Sequence, residues 1–235
     1  MTIHKGKKIA VIQSRISSSR LPGKALLDLG GKPLIEWVIE RSSMSRLADE
    51  VWLATSTEPE DDILEWIGKQ CGIRVYRGSL KDVLNRFCGV VEASGADIVV
   101  RITADNPLSE PRFIDDCIEA LASGAYDYVY NDSIPHGTGV EGVRAEQLLA
   151  LQKRTADPAE REHVTLHFYN HPELFSVKAL PPSGMLHRPE IRVTVDTLED
   201  YVRLYRILRQ CGEADSRCLT LEQIISCYDQ GHWRG

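Results

Sequence analysis

Short apolar runs and amphipathic stretches alternate along the first half of the chain. Each apolar run is bounded by turn residues, which is typical of a buried strand in a parallel sheet. Between the runs, apolar residues recur every three or four positions, which predicts helices with one buried face. Regular alternation of this kind indicates βαβ units and an α/β fold with a mostly parallel sheet. The expected strands are residues 9–12, 51–54, 73–76, 97–102 and 126–131.

Proline, glycine and capping residues mark where the intervening helices should begin and end. Pro33 and Pro111 suit a first helical turn, because proline lacks the N–H that would stay unpaired there. Gly72, Gly95 and Gly124 follow apolar helical patterns and are expected to end helices. Capping pairs at helix starts are expected at Thr57 with Glu60, at Ser79 with Asp82 and at Thr197 with Asp200.

The alternation loosens in the second half of the chain. Residues 133–142 are polar and glycine-rich, which predicts a loop. Residues 175–180 are expected to form a strand, and the apolar–polar alternation at 191–195 predicts a return to the sheet. We therefore expect one domain over residues 1–235, with an excursion from the sheet at about 132–190 that is a candidate for acceptor binding and, from the family resemblance given below, for dimerisation.

Composition narrows the class of protein. The chain has 43% hydrophobic and 26% charged residues, which are ordinary values for a soluble globular protein. A net charge of −6 argues against nucleic acid as a partner, because nothing resembles a distributed basic face. No apolar stretch is long enough to span a bilayer, and no signal-peptide core precedes the first strand, so we expect a cytoplasmic protein. The cysteines include no C-x-x-C pair and are expected to be reduced thiols rather than zinc ligands.

A loop rich in small residues and positive charge follows the first expected strand. It carries Arg15, Arg20 and Lys24, and no Asp or Glu occurs between residues 1 and 27. Backbone N–H groups and basic side chains at the carboxyl end of a parallel strand form a phosphate cradle. The loop is neither a Walker A loop nor a G-x-G-x-x-G turn, which disfavours a kinase-type P-loop and a dinucleotide site. The alternative is a solvated loop that is basic without function.

Two aspartates follow expected strands closely. Asp105 comes after the fourth strand and Asp196 after residues 191–195, so both should lie at the carboxyl edge of the sheet. Carboxylates facing a triphosphate-sized crevice there suit Mg²⁺, which takes few protein ligands and keeps phosphate and water oxygens. Two structural alternatives stay open: Asp105 could bond loop backbone before Pro107, and Asp196 could favour the start of the next helix.

Six segments of the chain resemble the cytidylyltransferase family of CMP-sugar synthetases. This family activates sialic acids and 3-deoxy-manno-octulosonate, and the resemblance is to the branch typified by spore coat polysaccharide biosynthesis protein F. It implies a three-layer α/β/α Rossmann-like nucleotide-diphospho-sugar transferase fold with a mostly parallel mixed sheet, often in a homodimer. The matching segments are residues 12–24, 29–34, 76–79, 100–108, 161–165 and 193–197.

The resemblance also implies roles for individual residues. Arg15, Lys24 and Asp105 are expected to be catalytic, and Asp105 and Asp196 to bind metal. The expected nucleotide-binding residues are Gln13, Ser14, Arg15, Ser18, Arg20, Lys24, Arg77 and Asp105. The resemblance does not supply acceptor contacts; the polar loop and the 161–163 segment themselves offer the candidate acceptor-binding residues His136, Glu141, Arg161 and His163. Some relatives carry a further carboxylate where this chain has Thr194, which leaves the number of metal ligands open.

The activity that the resemblance implies is transfer of CMP from CTP to an acidic sugar or related small acceptor. The reaction would need Mg²⁺, release pyrophosphate and serve cell-surface polysaccharide or glycoconjugate synthesis. A phosphonate or phosphate acceptor stays open, as do nucleotidyltransferases of the methylerythritol or molybdopterin type. A glycosyltransferase of the same fold is a further alternative, although the run Asp105-Asn106-Pro107 lacks its usual Asp-x-Asp. The last alternative is a nucleotide-binding module without turnover, since fold alone does not decide function.

Overall fold

One mixed sheet of seven strands organises the computed structural model, which describes residues 6–182, 184–212, 215 and 217–231. The strands are β1 (Lys8–Gln13), β2 (Glu50–Ser56), β3 (Arg74–Gly78), β4 (Ile98–Thr103), β5 (Tyr128–Asn131), β6 (Glu141–Arg144) and β7 (Val177–Leu180). The strand order is β3-β2-β1-β4-β6-β5-β7, with β1 parallel to β2 and β4, and β6 antiparallel to both of its neighbours.

Helices cover both faces of the sheet. Alternate residues of β1 point to opposite sides, so Ile9 and Val11 join one buried cluster while Ala10 and Ile12 join the other. The helices are α1 (Leu34–Ser42), α2 (Asp62–Gln70), α3 (Val83–Ser94), α4 (Pro111–Ala122), α5 (Ala145–Arg154), α6 (Pro158–His163), α7 (Leu166–Asn170), α8 (Leu198–Cys211) and α9 (Leu221–Asp229). The first cluster includes residues of α3, α5 and α7, and the second includes residues of α1, α2, α4, α8 and α9.

The three-layer fold and most helix starts agree with the sequence predictions. Asp82 caps α3 by accepting from the N–H of Asn85, and Thr197 forms a capping box with Asp200 at α8. The capping box expected at Thr57 is wrong. A short 3₁₀ turn, Pro59–Asp61, precedes α2, and the buried Asp61 carboxylate accepts from the backbone of Ser56 at 3.2 Å instead.

The predicted return of residues 191–195 to the sheet is also wrong. This segment runs beside the loop at His136, whose N–H donates to the carbonyl of Ile191 at 2.8 Å. The place next to β4 belongs to β6, which begins inside the segment expected to be a loop. A Cβ on Gly142 would lie 2.8 Å from a Leu121 side-chain carbon, so the glycine that suggested a loop lets α4 pack on this strand.

The helices of the described residues were compared with the length and hydropathy of a membrane span. None of those in the described part of the chain combines the length and the apolar character that a bilayer span requires.

Candidate active site

A polar pocket opens at the carboxyl ends of β1 and β4. It has a volume of about 310 Å³ and is formed by the basic loop, the loop after β4, the start of α3 and the end of α6. β1 and β4 are adjacent and parallel, with Gln13 opposite Thr103, so both chains leave the sheet at the same edge. The predicted residues that line the pocket are Gln13, Ser14, Arg15, Ser18, Arg20, Lys24, Asp105 and His163.

The basic loop is held in shape by contacts of its backbone. The N–H of Ile16 donates to the buried carboxylate of Asp61 at 2.7 Å, which fixes the exit from β1. Gly23 has φ +73°, a left-handed conformation that favours glycine, and its N–H donates to the carbonyl of Ile16 at 3.0 Å. The turn at Gly23 leads into a 3₁₀ helix that begins at Lys24. The side chain of Lys24 donates to the carboxylates of both predicted aspartates, Asp105 and Asp196.

Lys24, Asp105 and Asp196 form a charged group that we call the lysine cluster. The Lys24 ammonium lies 3.0 Å from Oδ2 of Asp105 and 3.2 Å from Oδ1 of Asp196. It also donates to the carbonyl of Val195 at 2.9 Å. Arg20 adds a second contact to Asp196 Oδ1 at 2.7 Å. Two carboxylates that lie far apart in sequence therefore share one positive charge at the pocket.

The lysine cluster favours an ionised Asp105. Burial opposes the charge of this carboxyl group, but the ammonium of Lys24 and hydrogen bonds from Thr103 and Lys24 outweigh that effect. The result is a pKa of Asp105 below its ordinary value. Two carboxylate oxygens and the Val195 carbonyl all lie within 3.2 Å of one cationic nitrogen. Such hard oxygen donors around one positive charge fit Mg²⁺.

Arg86 is a pocket residue that the sequence predictions missed. It lies on α3, lines the pocket and is only 2% exposed. Its Nη1 donates to the carbonyl of Ser79 at 2.8 Å, whereas its buried Nε has no hydrogen-bond partner among the described residues. Burial lowers the pKa of the guanidinium to about 10, although Asp61 favours the charged form. One signal was available: Arg86 stands on the apolar face of the predicted helix, three residues after Val83.

A second charged group lies around β4 and β6, and we call it the wall network. It consists of Arg101, Tyr128, Glu141 and Thr165. Arg101 and Glu141 form an ion pair, Thr165 Oγ1 donates to Glu141 at 2.9 Å, and Tyr128 donates to Glu141 at 2.6 Å. Arg101 itself lines the pocket and donates to the side-chain oxygen of Gln13 at 2.9 Å, so this network reaches the pocket directly.

The pKa values of the wall network agree with a closed set of hydrogen bonds. Burial opposes ionisation of Glu141, but Arg101 and hydrogen bonds from Tyr128 and Thr165 lower the pKa of this carboxyl group below its ordinary value. Burial and the neighbouring Glu141 raise the pKa of Tyr128, which stays a hydrogen-bond donor. Glu141 is therefore an ionised acceptor for three protein donors.

Five of the predicted residues are not among those that line the pocket, and one of them is Asp196 of the lysine cluster. Arg77 forms ion pairs with acids of α2, at 2.6 Å to Asp62 and 2.8 Å to Glu65. Arg161 donates to the Asp82 carboxylate at 2.6 Å and so ties α6 to the start of α3. The other two are Glu141, in the wall network, and His136, in the loop after β5.

His136 is connected to the lysine cluster through one arginine. Its Nδ1 lies 3.2 Å from Nη1 of Arg192, and Nη2 of the same guanidinium donates to Oδ2 of Asp196 at 2.8 Å. His163 lines the pocket beside Glu162, whose carboxylate lies 3.0 Å from a guanidinium nitrogen of Arg15. His163 therefore lines the pocket directly, whereas His136 is connected to the lysine cluster only through Arg192.

Comparison with known proteins identifies the family of this chain. A family model described as cytidylyltransferase matches residues 9–231. The spore coat polysaccharide biosynthesis protein SpsF of Bacillus subtilis is 37% identical over 86% of this chain and 87% of its own length. An uncharacterized protein of Methanocaldococcus jannaschii is 37% identical over 95% of this chain and 91% of its own length. A solved cytidylyltransferase from Leptospira borgpetersenii superposes with a TM-score of 0.89 at 27% identity, over 97% of this chain and 96% of its own. The chain therefore belongs to the cytidylyltransferase family.

Proposed function

We propose that this protein transfers CMP from CTP to an acidic sugar or a related acidic small molecule, with release of pyrophosphate. The observation that carries the proposal is the lysine cluster beside the basic loop in a member of the cytidylyltransferase family. An acceptor oxygen attacks the α-phosphorus of CTP, and the bond from that phosphorus to the β-phosphate oxygen breaks. The electron pair leaves with pyrophosphate, and a hydroxyl acceptor loses its proton to solvent or phosphate.

Catalysis of such a transfer depends mainly on positioning and on charge neutralisation. We propose that Arg15, Lys24 and Arg86 bind phosphate oxygens and offset the charge that develops on the leaving pyrophosphate. The unpartnered Nε of Arg86 supports this assignment, because a buried donor without a partner costs stability unless a ligand satisfies it. Gln13, Ser14 and Ser18 line the same pocket and are proposed as further nucleotide contacts.

We propose that Asp105 and Asp196 hold Mg²⁺ with the nucleotide. When bound, this ion supplies charge neutralisation on the phosphates and polarises the α-phosphorus. The convergence of both carboxylates on one ammonium supports the assignment, since the same oxygens suit a small hard cation.

The proposed acidity of the acceptor follows from the charge at the rim of the pocket. The side chains of Arg20 and Arg192 are 64% and 38% exposed, and both contact Asp196. With His136 and His163 they offer positive or hydrogen-bonding groups to a carboxylate or phosphate on the acceptor. We propose that Arg161 and Glu141 hold neighbouring elements in place and do not contact the acceptor, because their contacts in the structure are to protein groups.

The cellular setting is proposed from the relatives and from the surface. The name of the Bacillus subtilis relative supports a role in polysaccharide synthesis, and the use of CTP supports a cytoplasmic location. A homodimer is supported by exposed apolar side chains in the excursion, among them Tyr169 and Leu174, which are 61% and 64% exposed. Sedimentation of the wild type and of a Tyr169→Ser, Leu174→Ser double variant tests the dimer: the variant should shift towards monomer.

The experiment that tests the reaction measures pyrophosphate release with Mg²⁺, each of the four nucleoside triphosphates, and a panel of acidic sugars, phosphates and phosphonates. We expect release with CTP and one class of acidic acceptor, and release that is slower by roughly 10²- to 10³-fold with the Asp105→Asn variant. Release with another nucleotide alone, or no nucleotide-dependent rise in melting temperature for any of the four, would overturn the proposal.

A further inference from the structure

Three metal-ligating side chains converge between α6 and the end of α7. Oε1 of Glu160 lies 2.9 Å from Nδ1 of His167 and 3.9 Å from Nε2 of His171. One ligand atom from each residue lies within 4.8 Å of the other two. Because zinc–ligand bonds are about 2.0–2.2 Å long, two ligand atoms on one ion lie at most about 4.4 Å apart. The three groups therefore need only a small contraction to share an ion.

The spacing of the two histidines favours chelation. His167 and His171 are four residues apart, with His171 at the end of α7, so their rings lie on one side of the helical turn. The ring centroids are 4.6 Å apart. Two imidazoles with one carboxylate form a donor set that suits Zn²⁺ and other divalent transition metals, in contrast to the oxygen donors of the lysine cluster.

Polar contacts around the three groups form an independent second observation. Nδ1 of His171 lies 3.4 Å from Oε1 of Glu173, while its Nε2 faces Glu160. A histidine that binds metal through one ring nitrogen usually offers the other to a carboxylate, which fixes the orientation of the ring. The second oxygen of Glu160 accepts from Thr155 Oγ1, so the carboxylate is also oriented. A simple Glu160–His167 hydrogen bond would not require the arrangement at His171.

We propose that Glu160, His167 and His171 form a binding site for a divalent transition metal, with Zn²⁺ as the preferred ion. The side chains of Glu160 and His167 are 14% and 18% exposed, which limits competition from water. His171 is 43% exposed, and this open side gives the ion an entry path and room for a water ligand. None of the three residues is among those that line the candidate active-site pocket.

The site would stabilise one wall of the active-site pocket. Its ligands lie on both sides of the turn at Val164, which has φ +49°, an unfavourable value for a β-branched residue. Glu162 and His163 on one side of this turn line the pocket, and Thr165 on the other side belongs to the wall network. A metal that joins α6 to α7 would hold this turn in place.

Titration of chelator-treated protein with Co²⁺ tests the proposal, since Co²⁺ bound by imidazole gives visible ligand-field absorption. We expect one equivalent of Co²⁺ to bind, Zn²⁺ to displace it, and Zn²⁺ to raise the melting temperature. His171→Gln changes a side chain that is half exposed and should fold, yet it should weaken Co²⁺ binding at least about tenfold. Asp105→Asn and His187→Gln, which changes an exposed histidine elsewhere, should bind like the wild type.

Two results would overturn the proposal. One is a wild-type protein with neither Co²⁺ absorption nor a zinc-dependent rise in melting temperature. The other is a folded His171→Gln variant that binds Co²⁺ with wild-type affinity, which would place the ion at other residues. The Asp105→Asn control separates this site from the proposed Mg²⁺ site, so either can fail without the other.

Discussion

The lysine cluster and the wall network use the same kinds of charged residue in opposite ways. In the wall network, the carboxylate of Glu141 accepts from three protein donors, and Arg101 connects it to Gln13. In the lysine cluster, one ammonium is shared by two carboxylates. A closed network holds strands and helices in register, whereas a shared cation can exchange its partners for those of a ligand. Substitutions in the two groups should therefore change different properties.

The largest effect is expected for Asp105→Asn. The amide keeps the shape of the side chain but removes the charge that we assign to metal binding, so turnover should fall roughly 10²- to 10³-fold. Folding should be retained, because Lys24 keeps Asp196 as a partner. Steady-state pyrophosphate release and thermal melting measure the two properties. Asp116→Asn, on the exposed side of α4, is the matched control; wild-type turnover in folded Asp105→Asn protein would refute the metal assignment.

Glu141→Gln should mainly reduce stability. The substitution removes a charged acceptor from three donors, so the free energy of unfolding should fall by about 2 kcal/mol. Turnover of the molecules that remain folded should change much less than in Asp105→Asn. Urea unfolding followed by circular dichroism measures the stability, with Glu146→Gln as the control because that side chain is 70% exposed. A loss of turnover without a loss of stability would contradict this prediction, because it would show that Glu141 takes part in the reaction.

Arg86→Met should weaken CTP binding without reducing the stability of the protein. Removing a buried guanidinium with an unpartnered Nε should leave the melting temperature equal or higher. The KM for CTP should nevertheless rise about tenfold, the effect of losing roughly one charged hydrogen bond of 1.4 kcal/mol. Arg46→Met, at a side chain that is 85% exposed, serves as the control. An unchanged KM would show that Arg86 has only a structural role.

The smallest effect is expected in the pH dependence of stability. Because the pKa of Glu141 is lowered from 4.5 in the folded protein, its ionised form contributes stability that is fully present above pH 4.5. This contribution is lost as the pH falls through the lower folded value. The stability difference between wild type and Glu141→Gln should therefore shrink below pH 4.5 and stay constant above it. Urea titrations across this pH range measure the difference in the free energy of unfolding between the two proteins. A difference that grows on acidification would contradict the lowered pKa of Glu141.

The sequence predicted the lysine cluster better than the wall network for a physical reason. Lys24 and Asp105 follow neighbouring parallel strands, and the ends of such strands meet at one edge of a sheet. Asp196 reaches the same place without a sheet strand, because the N–H of Val195 donates to the carbonyl of Asp105 at 2.8 Å. The position was predicted correctly although the element that carries it was not.

The wall network could not be predicted from the local hydrophobic and turn patterns of the sequence. β6 has four residues, too few to show an alternation, and its Gly142 imitates a loop signal. Glu141 pairs with Arg101, 40 positions away, through an antiparallel contact that no periodicity specifies. Arg86 was missed for a related reason: its helix was predicted, but the pocket that Arg86 lines depends on the whole fold.

The central claim is that Lys24 lies where the phosphates of CTP bind, and calorimetric titration with CTP and Mg²⁺ tests it most directly. The wild type should bind one CTP per chain, and Lys24→Met should weaken that affinity at least about tenfold, by loss of a charged contact. Lys153→Met, an exposed lysine on α5, should bind like the wild type. Equal affinity of folded Lys24→Met and wild type for CTP would contradict the assignment of the lysine cluster as the nucleotide site.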